Sequence, residues 1–248
     1  MGAQLRVYRG RIKSVKATKK ITKAMELIAS SRIVKAQQRV AASLPYTKAL
    51  VAAVSAAASN STTSHPLTSN PEKRVRAAVC LITADRGLAG GYSSNAIREA
   101  EGVNSYLREE GVQPLAFLVG RKGISFYKFR ERKIADSWSG FTDQPTYEDA
   151  RKIADSLLKS FSTPVEEGGV DEIHLVYTQF ENMVTQTPVA KRLLPLEVEE
   201  KTAEEHGGTI PLYDFEPGAA DVLDSLLPQY ITNVVWNALL LSAASEHA

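Results

Sequence analysis

A chain of 248 residues, 44% hydrophobic and 23% charged, is ordinary globular material of one to two domains with a sizeable core. Its single cysteine, Cys80, excludes an internal disulfide, lies in an apolar run as a small buried residue would, and fits a reducing compartment. The net charge of +2 conceals a segregation: residues 1–50 hold twelve Lys or Arg and one acid, Glu26, which leaves about −9 on the remainder by difference.

The opening MGAQLRVYRG has no apolar stretch of signal-peptide length and is cut by Arg6 and Arg9. Arg6 also stands where a myristoylation signal needs Ser or Thr. The run Ile231 to Ser245 falls short of the roughly 20 residues of a membrane helix and contains Asn233 and Asn237. Any membrane association is therefore expected to be indirect.

From Met1 to about Ser59 the chain reads as one helix, with no Gly after Gly10 and Pro45 as its one proline. Such a helix is roughly 80 Å long, wider than a small domain, so it must project beyond its own domain. Leu5, Tyr8, Ile12, Val15, Thr18, Thr22, Met25, Ala29, Ile33, Ala36 and Val40 form a stripe at a coiled-coil step of about 3.5 residues per turn. The stripe thins where Thr18 and Thr22 replace large apolar residues, and its small C-terminal members allow a partner helix to come close while burying little area. Pro45 would ordinarily kink this helix. Residues 60–75 read as a linker of polar turn chemistry, in which His65 is a solvated loop residue.

From Arg76 the period changes. Ala77 to Thr83 is a strand buried on both faces, followed by the glycine turn Asp85-Arg86-Gly87-Leu88-Ala89-Gly90-Gly91 and a helix from Asn95 to Glu110. Further strands are expected at Leu115–Val119, Lys133–Trp138, Glu172–Phe180 and Thr187–Leu194, with helices at Ile124–Phe129 and Tyr147–Phe161. This alternation over residues 76–216 predicts a Rossmann-like α/β domain with a mainly parallel sheet. Glu197–Gly208 reads as an exposed loop and Thr209–Phe215 as a short strand. After Pro217-Gly218 a second helix, residues 217–248, presents Val222, Leu226, Tyr230, Val234, Asn237 and Leu241 on one face, with Pro228 as a second kink site.

The glycine turn sits where dinucleotide phosphates bind, yet neither G-x-G-x-x-G nor G-x-x-x-x-G-K-[ST] is present, so a structural turn is the expected reading. Asp85 and Arg86 read as a local ion pair or a turn-stabilising Asp, and His174 as a satisfied core or edge histidine. His206 and His247 have no second ligand at metal spacing. No catalytic constellation, metal site or cofactor is expected. What remains is the basic helix, whose eleven cations from Arg6 to Arg39 oppose Glu26 alone. Like charges at helical spacing repel, so an acidic partner is expected. DNA or RNA fits electrostatically but stacking aromatics are scarce, Tyr8 and Tyr46 apart; acidic protein surfaces fit equally well.

Ile21-Thr22-Lys23-Ala24-Met25-Glu26, Pro45-Tyr46, Asp85-Arg86-Gly87-Leu88-Ala89-Gly90-Gly91 and Tyr213-Asp214-Phe215-Glu216-Pro217, in that order, resemble the gamma subunit of the bacterial F-type ATP synthase over nearly the whole chain. The resemblance implies a non-catalytic rotor shaft, in which the N- and C-terminal helices form an antiparallel coiled coil inside a ring of alpha and beta subunits and the α/β domain lies outside it. It implies that rotation driven by the proton-translocating membrane ring forces each catalytic site through different affinities. Lys19, Lys20, Lys23 and Met25 would then face the catalytic ring, with a place in the helix seam as the alternative for Met25. Tyr213, Phe215, Glu216 and Pro217 would lie near the membrane ring of c subunits and the epsilon subunit. The implied location is the cytoplasmic face of the cell membrane, peripheral, with no nucleic-acid partner. A nucleic-acid-binding protein and a nucleotide-binding α/β enzyme are the alternatives. Family members continue beyond the point where this chain ends, so most of the second coiled-coil strand is expected to be missing. Ala89 stands where the family often has Cys, so thiol regulation is not expected.

Overall fold

The structure, a computed structural model, describes residues 2–60, 71, 73–196 and 218–248. The first helix, α1, runs unbroken from Gly2 to Asn60 through Pro45. The last, α5, spans Ala219–His247 and likewise passes through its internal Pro228. Tyr46 Oη donates to Gln229 Oε1 at 3.2 Å, so the two prolines sit at the same level of the helix pair.

Between them, β1 (Arg76–Ile82), β2 (Gln113–Val119), β3 (Asp136–Trp138), β4 (Glu172–Phe180) and β5 (Gln186–Leu194) form one sheet in the order β3-β2-β1-β4-β5. Strands β1 to β4 are parallel and β5 returns antiparallel beside β4. The period-two alternation of β1 divides the core. Ala77, Val79 and Leu81 face α2 (Tyr92–Glu109) and α3 (Arg121–Phe129), whereas Ala78, Cys80 and Ile82 face α4 (Tyr147–Ser162) and α5. Helix α4 starts on a capping box in which Thr146 and Asp149 satisfy each other's backbone N–H groups. Buried Cys80 has its thiol pushed up to about 12 by desolvation, with Asp136 adding to the rise, which makes it inert at neutral pH.

Helices α1 and α5 pair antiparallel. Ser43 Oγ donates to Asn237 Oδ1 at 2.8 Å, while Leu50, Val54 and Ala57 pack on Leu223 and Leu227 near the other end of α5. The seam of α1 in contact is Ala29, Ile33, Ala36, Val40, Ser43, Thr47, Leu50, Val54 and Ala57, each buried or half-buried, in alternating steps of four and three. The same period continues past Pro45 to Ala57, which extends the expected stripe, while its N-terminal members from Leu5 to Met25 have no packing partner among the described residues. The expected face of α5 is corrected. Val222, Leu226, Tyr230, Val234, Asn237 and Leu241 lie half-buried at its margin, and the fully buried row is Leu223, Leu227, Ile231, Val235 and Leu239. The reason is that the second half of α5 lies between α1 and the sheet, so more than one stripe is covered.

An 18-residue window of α1 has a mean hydropathy of 1.3, enough by length and composition for a membrane span. Its small apolar residues are the ones that let α5 approach. The expected strand Thr209–Phe215 lies outside the described residues, as do the loop Glu197–Gly208, His65 and His206.

Candidate functional site

Among the described residues the α1 seam meets nothing N-terminal to Ala29. Residues 4–28 are exposed around the whole helix, so about 40 Å of α1 has no packing partner among them. The strands explain the direction of projection. The C-terminal ends of β1, β2 and β3 carry the loops at Asp85, Gly120 and Asp143, and Arg32 of α1 meets Asp143 there. The free half of α1 therefore extends from the C-terminal edge of the sheet.

This free half carries Lys19, Lys20, Lys23 and Met25, all exposed. Lys23 Nζ lies 3.1 Å from Glu26 Oε2, with 65% and 60% of the two side chains exposed; such a surface pair contributes less than about 1 kcal/mol. The remaining cations have no acid of their own on this half. Met25 is 46% exposed and belongs to none of the hydrophobic clusters of the described residues. The thin seam at Thr18 and Thr22 is filled locally, each hydroxyl donating to the backbone oxygen four residues earlier. Tyr213, Phe215, Glu216 and Pro217 lie outside the described residues.

At the root of the projection lies a polar junction. The Asp85 carboxylate accepts the backbone N–H groups of Gly140 at 2.6 Å and Thr142 and Arg121 at 3.1 Å, and the Arg121 guanidinium lies 3.6 Å away. Desolvation works against its ionisation, but these backbone donors outweigh it and hold Asp85 below the ordinary carboxylate range. Asp85 is thus the staple of three loops and has no capacity left for substrate, in line with its reading as a turn-stabilising residue. Arg86 turns instead to Asp143, at 3.6 Å.

Gly120, at φ 94°, passes so close to β1 that a Cβ would stand 2.1 Å from the Thr83 carbonyl oxygen. Within the glycine turn Leu88 takes φ 72° and is 92% exposed. Val184, at the tip of the β4–β5 hairpin, is 90% exposed at the same edge of the sheet. Beside the turn, a polar cleft of about 300 Å³ is lined by Gly91, Asn95, Gln186 and Glu246 among others. Burial, opposed by the Thr142 hydroxyl and reinforced by Asp143 and Asp85, pushes Glu246 up to about 7.

His174, on the interior strand β4, has its Nε2 3.0 Å from Glu172 Oε2 and is a satisfied histidine, as its alternation with apolar residues predicts. Among the described residues no group of His, Cys, Asp and Glu is arranged to hold a metal. Sequence reasoning missed Asp143 and its link to Arg32, because 111 positions separate them and Asp143 sits in an unpatterned loop.

An α/β base that carries an antiparallel pair of long helices, the first of them 59 residues and basic, has the architecture of a stalk protein. The family described as ATP synthase matches residues 4–248. The chain is 58% identical over 248 residues to the ATP synthase gamma chain of Acidothermus cellulolyticus, covering 100% of this chain and 83% of that one. It is 57% identical to the gamma chain of Streptomyces coelicolor, covering 100% and 82%. The chain belongs to the ATP synthase gamma chain family. Two solved structures share the fold: a central stalk with c-ring of the Tetrahymena thermophila mitochondrial ATP synthase (TM-score 0.57, 22% identity, 92% of this chain and 94% of that) and an assembly of the Euglena gracilis enzyme described as OSCP, F1 and c-ring (TM-score 0.64, 17% identity, 100% and 80%). The chain is thus a subunit of the ATP synthase complex, and these likenesses support that reading over the nucleic-acid-binding and nucleotide-enzyme alternatives.

Proposed function

We propose that this chain is the rotating central stalk that couples proton flow through the membrane ring to ATP synthesis and hydrolysis in the catalytic subunits, and that it performs no bond chemistry itself. The observation that carries this reading is membership of the ATP synthase gamma chain family together with the long, basic helix α1 paired antiparallel with α5 on the α/β base. A shaft that must turn inside a ring needs stiffness along its length and no specific lock to any one face. Exposed cations supply this: long-range attraction to acidic loops steadies the contact without fixing its register. In this reading Lys19, Lys20, Lys23 and Met25 face the alpha and beta subunits, which their exposure supports. Tyr213, Phe215, Glu216 and Pro217 are assigned to the opposite end, near the epsilon subunit and the c ring. Contact with the membrane is then indirect, at the cytoplasmic face of the cell membrane.

Copurification tests this. The chain is expected to come from detergent-treated membranes together with the larger ring subunits and to dissociate from them at high salt more readily than at low salt. A chain that remains monomeric in their presence overturns the reading.

A further inference from the structure

Asp143 stands beside the turn of α1 at which its packing on the other described elements begins. The first half-buried residue of α1 is Ala29 and the first fully buried one is Ile33; Arg32 lies on that turn. Its Nη1 is 3.0 Å from Asp143 Oδ2, with 31% and 14% of the two side chains exposed. The same carboxylate oxygen is 3.6 Å from Arg86 Nη1 of the glycine turn.

The loop that carries Asp143 is held from several sides. Gly140 and Thr142 donate their N–H groups to Asp85, and the Asp143 backbone oxygen is 3.2 Å from His247 Nε2 of α5. A carboxylate anchored to the sheet edge and to α5 thus reaches across to α1.

The α1–α5 seam is a weak fixture at this end. Ala29, Ala36 and Ser43 are small, so they bury little area per turn. We propose that Asp143 is a positioning residue, which fixes the register and rotational setting of α1 against the α/β domain through its ion pair with Arg32. This rests on the rotor reading. Torque taken up by the domain then passes into the shaft through this pair.

The test uses Asp143→Asn, which keeps size and removes charge, together with Arg32→Gln, the double variant and Asp143→Glu. In the isolated chain, amide exchange over residues 26–36 is expected to rise about tenfold in Asp143→Asn, as loss of a charged hydrogen bond implies, with β1 unchanged. In the assembled complex the protons pumped per ATP hydrolysed should fall at unchanged assembly. Arg32→Gln should reproduce both effects, the double variant should be no worse than either single one, and Asp143→Glu should restore function in part. Parental exchange and pumping in Asp143→Asn, or effects of the two single variants that sum in the double, overturn the clamp while leaving the rotor reading intact. If the parent chain itself fails to assemble, the rotor reading falls, and unchanged exchange in Asp143→Asn still decides against the clamp.

Discussion

Thr47 Oγ1 accepts the side-chain amide of Asn233 at 2.8 Å across the α1–α5 interface. Asn233 is 1% exposed, and the same hydroxyl lies 3.2 Å from the Asn237 amide while donating to the Ser43 backbone oxygen. One threonine therefore serves two amides of the opposite helix, and a slip of either helix by one residue would leave a buried amide unsatisfied. Replacing Thr47 by Val keeps its shape and removes the acceptor. The expected cost is about 1–3 kcal/mol, read from urea denaturation, with Thr47→Ser close to the parent.

Leu227 is fully buried against Leu50, Val54 and Ala57 of α1. Truncation to Ala removes most of the apolar contact at this end of the pair and leaves a cavity, which should cost about 2–5 kcal/mol. If α1 instead pairs elsewhere in solution, Leu227→Ala will leave the melting temperature near that of the parent.

Gly120 combines positive φ with close backbone approach, the two conditions only glycine meets. Gly120→Ala is expected to destabilise by at least about 2 kcal/mol. Gly140 also has positive φ but open space around it, so its Ala variant should be milder in the same thermal assay.

Desolvation of Asp85, Glu101 and Glu172 is outweighed by donors: backbone N–H groups at Asp85, Arg132 at Glu101, and His174 with Arg74 at Glu172. All three carboxylates are therefore held below their ordinary values. Each binds fewer protons in the folded than in the unfolded state at acid pH, so its contribution is present above the ordinary carboxylate pKa and is lost as pH falls through the depressed folded value. Melting temperature should decline steeply below about pH 4, and Asp85→Asn should flatten that decline while lowering stability at neutral pH.

Met25 is half exposed and outside the core, so a Met25→Lys change should alter stability by no more than about 0.5 kcal/mol. Under the rotor reading it adds a cation where the shaft meets acidic loops. ATP-driven proton pumping in the assembled complex is expected to drop more than melting temperature does, and unchanged pumping would count against the placement of Met25 at the ring.

Local patterning made much of this fold legible. The unbroken composition of residues 1–59 matches α1 to within a residue at either end, and the apolar run from Ala77 matches β1. Helix α2 begins three residues before the expected Asn95, because the backbone closes its first turn on Ala89 and Gly91 without a side-chain cap. The buried row of α5 was misplaced by one position, since a single-stripe reading cannot anticipate a helix covered on two sides.

The sequence by itself determined that the first helix is too long for its domain, that its period suits a partner helix and that its charge is of one sign, because period and charge are properties of neighbouring residues along the chain. Only the tertiary structure decided which residues of α1 pack on α5 and what holds the helix beside the sheet. Asp143 meets Arg32 because the strand order brings the loop after β3 to the edge from which α1 departs, and no local pattern encodes a contact between residues 111 positions apart.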